Sequence, residues 1–303
     1  MEKTFIRVRS VKDITIFVSL IIAGSVLIAL PTGSAVNITG FFLIFAGLLL
    51  ALLMKTGYKD TETGVKYQIE FFILKDEVHL MIDTSGTTLH KRGYRPVSNA
   101  APLRETLAAG MVKMARPREN VLLVDPLCGS GTIAIEAALL TGNIAPGLKR
   151  SFAAEKFSLI PSSVWDEERK KAESEITPWA SKIYAYDIDP MCVAMAKENA
   201  RRAGVEDRIV FRVADVRSFK SPEPDARGTV VTNPPYGERL LDLQQARELA
   251  SAMGKAFQKE VPSWQLYIIS SDEKFEQFFG RRANKVRKLY NGMIRCGFYQ
   301  FFK

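Results

Sequence analysis

Four short apolar runs, each ending on a polar residue, constrain this chain more than any other feature. Val121–Val124 ends on Asp125, and Ile183–Asp189 (IYAYDID) carries Asp187 near its end. Ile209–Val213 leads into Ala214-Asp215, and Thr229–Thr232 stops at Asn233. Helical stretches follow the first two, over Ile133–Leu140 and Met191–Ala203. Strands that alternate with helices predict an α/β fold around a mostly parallel sheet. Such sheets bind ligands outside the carboxyl ends of their strands, so the four run ends are the candidate site.

The first end continues as Asp125-Pro126-Leu127-Cys128-Gly129-Ser130-Gly131-Thr132. A strand, a glycine-rich turn and a helix N-terminus together cradle a nucleotide-like ligand. Gly129 and Gly131 let the backbone come close to it. The string is not GxGxxG, and no Walker lysine follows, so a dinucleotide or P-loop reading does not apply. Asp187, followed by Ile188, is placed to accept both hydroxyls of a ribose. Asp215, followed by Val216, is placed to accept from an adenine amine.

The fourth end reads Asn233-Pro234-Pro235-Tyr236. An exocyclic amine on a base is a poor nucleophile because its lone pair is delocalised into the ring. The Asn233 side-chain oxygen and the Pro234 carbonyl can each accept one N–H from such an amine. That draws the nitrogen toward sp³ and frees the lone pair. Pro234 and Pro235 stiffen the turn and bring no competing amide proton. Tyr236 can stack on the face of the base. The catalytic candidates are therefore Asn233, Pro234, Pro235 and Tyr236. The chemistry needs positioning and carbonyl electrostatics, not a metal or a covalent enzyme intermediate.

The first part of the chain is of another kind. Ile14–Leu30 and Ile38–Met54 are two uncharged apolar runs separated by PTGSAVN. Each is about 17 residues long, the lower edge of what crosses a bilayer as a helix. Lys3, Arg7, Arg9 and Lys12 flank one side and Lys55 and Lys59 the other, which predicts a helical hairpin with both ends in the cytoplasm. A signal peptide and a pair of buried helices are the rival readings. The expected organisation is a transmembrane hairpin over residues 1–57, a linker over 58–66, a short strand pair and connector over 67–100, and a catalytic domain over 101–303. The strand pair falls around Gln68–Leu74 and Val78–Ile82, turning at Lys75–Glu77. The formal net charge of +9 permits a nucleic-acid or anionic-membrane partner. Cys128, Cys192 and Cys296 are widely spaced, and there are only two histidines, so no metal site is expected.

The remaining pattern is a helix over Leu243–Phe257, a strand over Trp264–Ser270 and a helix near Lys274–Phe279. Two strands close the chain, Asn284–Tyr290 and Met293–Phe301, with Asn291-Gly292 read as the hairpin turn. An amphipathic helix is also read in SVWDEERKKAE around Trp165.

In sum, the segment Asp83–Lys303 resembles the bacterial large-subunit rRNA guanine-N2 methyltransferases of the THUMP-associated group. The matching strings are DTSGTTLHKRGYR (83–95), APLRETLAAGMV (101–112), DPLCGSGTIAIEAA (125–138), APGLKR (145–150), YDID (186–189), NPPYGERL (233–240) and LYNGMIRCGFYQF (289–301). The resemblance implies a class I, Rossmann-like fold with a seven-stranded sheet and a C-terminal antiparallel hairpin, here preceded by the two-helix apolar hairpin. It implies S-adenosylmethionine held around Asp125 to Thr132, Asp187, Ile188, Asp215 and Val216, and a target amine at Asn233–Tyr236. Its expected partner is large-subunit rRNA, contacted by cations such as Lys91, Arg92, Arg95, Lys149, Arg150, Arg281, Arg282, Lys285 and Lys288. Family members carry an RNA-binding THUMP domain upstream, of which only Tyr67–Asp83 resembles a part. The implied location is a cytoplasmic catalytic domain, with membrane association through residues 14–54. The alternatives are adenine N6, a tRNA guanine or a glutamine amide as the acceptor, or a membrane-tethered RNA-binding module without turnover.

Overall fold

The structure is a computed structural model and describes residues 65–74, 77–95, 103–179, 182–235 and 242–302. The two apolar runs, and with them the expected membrane hairpin, lie outside the described residues. Among the described residues no helix is long and apolar enough to cross a membrane. Two compact units are distinguished: one holds the first strand pair, and the other comprises Thr87–Glu155 and Ile160–Lys303.

The strand pair is an antiparallel hairpin of β1 (Gln68–Leu74) and β2 (Glu77–Asp83), in register from Gln68↔Asp83 to Leu74↔Glu77. Leu74, Leu80, Met81 and Ile82 are exposed on it.

The larger unit begins with α1 (Glu105–Ala115), a helix the sequence reading did not assign. It continues through β3 (Leu122–Asp125), α2 (Thr132–Thr141), α3 (Ser162–Ser174), β4 (Ile183–Asp187) and α4 (Pro190–Ala203). Then come β5 (Ile209–Val213), β6 (Gly228–Thr232), α5 (Leu243–Glu260), β7 (Gln265–Ser270) and α6 (Phe275–Phe279). The chain closes with β8 (Lys285–Asn291) and β9 (Ile294–Phe301). The expected elements recur within a few residues at their ends, where side-chain pattern is least informative.

The seven strands form one sheet in the order β5-β4-β3-β6-β7-β9-β8. The first five are parallel, and β9 inserts antiparallel between β7 and β8. From β3 the chain winds outward to β4 and β5, then returns to start β6 on the other side. The switch point therefore lies between β3 and β6, and the crevice opens at their carboxyl ends. β3 and β6 are buried along their whole length, as central strands covered on both faces must be.

Two cores fill the faces. On one, Met111 and Val112 of α1, Ile133 and Ile135 of α2, and Ala196 and Ala200 of α4 pack on Ile183, Val231 and Phe298. On the other, Met253 and Phe257 of α5 and Phe275 and Phe279 of α6 pack on Val124, Val230, Ile268 and Phe301. Residues Thr132 to Leu139 of α2 are all buried, which is why this helix shows no polar face.

One local expectation is corrected. Asn291 pairs with Ile294, so the hairpin loop is Gly292-Met293 and not Asn291-Gly292. Gly292 has φ +69°, whereas Met293 has no positive φ, the pattern of a II′ turn with glycine first. The cross-strand pairing Leu289↔Cys296 sets this register, because Cys296 and its neighbour Phe298 both belong to the core.

Candidate active site

The glycine-rich turn after β3 is fastened from several directions. The Gly129 amide donates to Asp187 Oδ2 at 2.8 Å, and the Cys128 amide donates to the Tyr186 carbonyl at 2.7 Å. Buried Asn199, on α4, donates from Nδ2 to the Ser130 carbonyl at 3.0 Å. Gly131 has φ +82°, and a Cβ there would lie 2.9 Å from Ala196 Cβ. Glycine is thus required both by conformation and by the close approach of α4. Asp189 caps α4 by accepting from the Met191 amide at 2.8 Å, and Pro190 takes the first helical position, where its missing N–H is not needed.

Asp187 is held at the tip of β4 with each oxygen already accepting one amide, Oδ2 from Gly129 and Oδ1 from Asp189. Each carboxylate oxygen has a second lone pair, so two further donors can be received. Beside it Ile188 is 53 % exposed and offers an apolar surface. Asp215 accepts from the Arg217 amide and guanidinium, and this pairing holds its carboxyl below the ordinary range. Pro126, Tyr186, Asp215, Val216 and Phe219 line one hollow. Three of the predicted positions, Pro126, Asp215 and Val216, are thereby brought together.

Asp125 is 1 % exposed and accepts from the Thr232 hydroxyl at 2.8 Å, a bond across the switch point from β3 to β6. Burial pushes its carboxyl up to about 7, against the pull of the Thr232 and Leu127 bonds. Ser130 and Thr132 are buried as well, so they brace the turn from inside. Burial raises the Cys128 thiol well above its ordinary range and the Cys192 thiol to about 11. Both are neutral thiols near pH 7 and poor nucleophiles.

Asn233 follows Thr232 directly, which places it at the crevice. Its Oδ1 is buried and has no hydrogen-bond partner among the described residues. A buried acceptor without a donor costs about 1–3 kcal/mol. Pro234 and Pro235 follow it just beyond β6, while Tyr236 lies outside the described residues.

Several cations expected to face RNA are engaged elsewhere. Arg95 pairs with Glu105 at 3.1 Å and donates to Thr132 Oγ1 at 2.8 Å and to the Leu103 carbonyl at 2.9 Å. Arg92 pairs with buried Glu136 at 3.5 Å, and Glu136 also accepts from the Tyr94 hydroxyl at 3.0 Å. Arg150 donates to the Thr87 and Thr88 carbonyls, and Arg281 to the Phe302 carbonyl. Lys149 donates to the Arg202 carbonyl at 3.0 Å but is exposed. Lys91, Arg282, Lys285 and Lys288 remain at the surface. The Arg95 linkage to the base of α2 was missed because an isolated arginine reads as a surface charge. Its only clue was the nearby Glu105. Asn199 and Thr232 gave no signal, since their partners are distant in sequence.

The chain is 43% identical over 242 residues to the Bacillus subtilis (strain 168) protein named "Putative RNA methyltransferase YpsC", covering 80% of this chain and 62% of that one. It is 36% identical over 244 residues to the ribosomal RNA large subunit methyltransferase K/L of Shewanella sp. (strain W3-18-1), covering 78% of this chain and 34% of that one. The chain therefore spans less than two thirds of the length of either relative. Among solved structures it resembles the protein described as "SMU.472, a putative methyltransferase complexed with SAH", with TM-score 0.76, 36% identity, and 87% and 70% of the two chains covered. Residues 92–300, which take in all four strand ends, match the family described as RMKL-like, methyltransferase domain, and the chain belongs to that family.

Proposed function

We propose that this chain transfers the methyl group of S-adenosylmethionine to the exocyclic N2 amine of a guanine in large-subunit ribosomal RNA. The observation that carries the reading is the buried Oδ1 of Asn233 at the crevice, which has no partner among the described residues. An acceptor left unpaired there suits a substrate N–H that arrives only with the base.

The residues around β3 and β4 suit the adenosyl group. Asp187 has two lone pairs to spare for ribose hydroxyls, exposed Ile188 offers an apolar face for adenine, and the hollow by Asp215 and Val216 takes its edge. The relative solved with SAH supports the same choice. S-adenosylmethionine supplies the methyl group and leaves as the thioether.

On the other side, Asn233 Oδ1 and the Pro234 carbonyl would accept the two N–H bonds of the amine. Holding both keeps the lone pair out of the ring and aims it across the crevice. As the new N–C bond forms the nitrogen becomes cationic, and the two carbonyl dipoles stabilise that charge. The cationic nitrogen then gives its extra proton to solvent water. The base must be unpaired or flipped out to reach this position. Tyr236 is assigned the stacking role from sequence alone.

The choice of RNA rests on the names of the relatives, and the choice of the guanine amine on the resemblance carried by the sequence strings. In this reading residues 101–303 are the catalytic domain and work in the cytoplasm. Membrane attachment through residues 14–54 is carried by the sequence, and sedimentation of the full chain with lipid vesicles tests it.

The reading is tested by incubating the full chain with methyl-labelled S-adenosylmethionine and, separately, unmodified large-subunit rRNA and genomic DNA. Label in RNA and not in DNA is expected. Label in DNA alone would overturn the substrate class.

A further inference from the structure

The C-terminal segment 280–303 holds Arg281, Arg282, Lys285, Arg287, Lys288, Arg295 and Lys303 and no aspartate or glutamate. Seven cations without a single acid in so short a stretch account for most of the surplus charge of +9. β8 is the last strand of the sheet, so among the described residues no other strand covers one side of its backbone.

The register places part of this hairpin over the active-site edge. Ser270, at the carboxyl end of β7, pairs with Gly297, so residues 291–296 continue beyond the sheet on the side where the crevice opens. There Tyr290 pairs with Arg295, and Lys288 lies two residues before Tyr290 on the same face. Lys288 Nζ sits 5.3 Å from the Tyr290 ring centroid, and that ring is 53 % exposed. An aromatic face thus stands between two exposed cations. From strand spacing and rise, this trio is roughly 15–20 Å from Asn233, across three strands and about three residues above.

We propose that Lys288, Tyr290 and Arg295 form a docking site for single-stranded RNA, with the ring stacking on one base and the cations meeting the phosphates on either side. The site would hold a nucleotide a short distance along the strand from the base presented to Asn233. This rests on the RNA reading above. Lysines on an edge strand also discourage pairing with another sheet, which explains Lys285 and Lys288. It does not explain a half-exposed tyrosine bracketed by charges at the one end of the strand that reaches the crevice.

The test measures binding of the full chain to a labelled uridine oligomer of about 20 nucleotides across a salt series. Tyr290→Ala is expected to weaken binding about tenfold, and Tyr290→Phe to retain it, because stacking needs the ring and not the hydroxyl. Lys288→Ala with Arg295→Ala is expected to lower the slope of log affinity against log salt by about 1.4, at about 0.7 per phosphate contact. Binding of SAH and the thermal midpoint should be unchanged in all of them, which separates lost contacts from lost folding. Lys170→Ala with Lys171→Ala, two exposed cations on α3, should leave the oligomer affinity unchanged. Equal affinity in wild type and the hairpin variants would overturn this site alone. A loss as large in the α3 pair would also overturn it, in favour of bulk charge. Failure of the wild type to bind the oligomer would overturn this site, while the RNA reading falls only if rRNA also takes no label from methyl-labelled S-adenosylmethionine.

Discussion

At the ends of β3 and β4 the polar groups are paired. The Gly129 and Cys128 amides, the Ser130 carbonyl and both oxygens of Asp187 have partners within 3.0 Å. At the end of β6 the opposite holds, because Asn233 Oδ1 is buried with none among the described residues. The first arrangement fixes a turn in the shape its ligand needs before the ligand arrives. The second leaves a vacancy in the hydrogen bonding that only the reacting group is expected to fill. Binding and chemistry are thus divided between two neighbouring strand ends, and Thr232 Oγ1 to Asp125 Oδ1, at 2.8 Å, is the bond that joins them.

The sharpest way to break that division is Asn233→Ala. It should lower the rate of methyl transfer about 100- to 1000-fold, as loss of one preorganised partner of developing charge typically does. Affinity for SAH should stay within about twofold, since no cofactor contact is assigned to this side chain. Single-turnover kinetics beside calorimetric titration would show it. Equal losses in both would mean that the two ends are not separate.

Asp187→Ala should do the reverse. It removes the Gly129 anchor and the acceptor assigned to the ribose, so SAH affinity should fall about 10- to 100-fold, the worth of hydrogen bonds to a charged group. With saturating cofactor, much of the turnover should return.

Asp125 tests the joint. Its carboxyl lies at about 7 in the folded protein against an ordinary 3.8, so between these values the folded state holds a proton that the unfolded chain releases. The stability this gives is fully present below the lower value and is lost as pH rises through the upper one. Relative to Asp125→Asn, which does not titrate, the wild type should lose about 1–3 kcal/mol between pH 5 and pH 8 in urea unfolding. A constant difference would contradict the burial argument.

The smallest effect is expected at Gly131→Ala. Positive φ and a 2.9 Å approach to Ala196 Cβ make any side chain strained there. A loss of about 1–2 kcal/mol in stability is expected, with cofactor affinity reduced and the rate at saturation kept.

Most of the sheet was legible because its central strands are short apolar runs punctuated by acids, glycines and prolines. β5 was read as Ile209–Val213 and found there. The strand-end acids were legible for the same reason. What escaped was whatever depends on long-range contact. Arg95 looked like a surface cation, yet it is bonded to Thr132, 37 residues away. Asp125 was read as a ligand-binding carboxylate, but its first partner is Thr232, 107 residues on. α1 escaped because its string was weighed only as part of a resemblance, and its helical face is an ordinary mix of alanine and methionine. The hairpin loop was misread by one residue because Asn-Gly is a strong local signal, while core packing of Cys296 and Phe298 decided the register.

The most direct test of the account identifies the methylated atom. After reaction of the full chain with labelled S-adenosylmethionine and unmodified large-subunit rRNA, the RNA is digested and its nucleosides are separated. The account predicts label in N2-methylguanosine, and none there with Asn233→Ala. Label in N6-methyladenosine, or label that persists after that substitution, would contradict it.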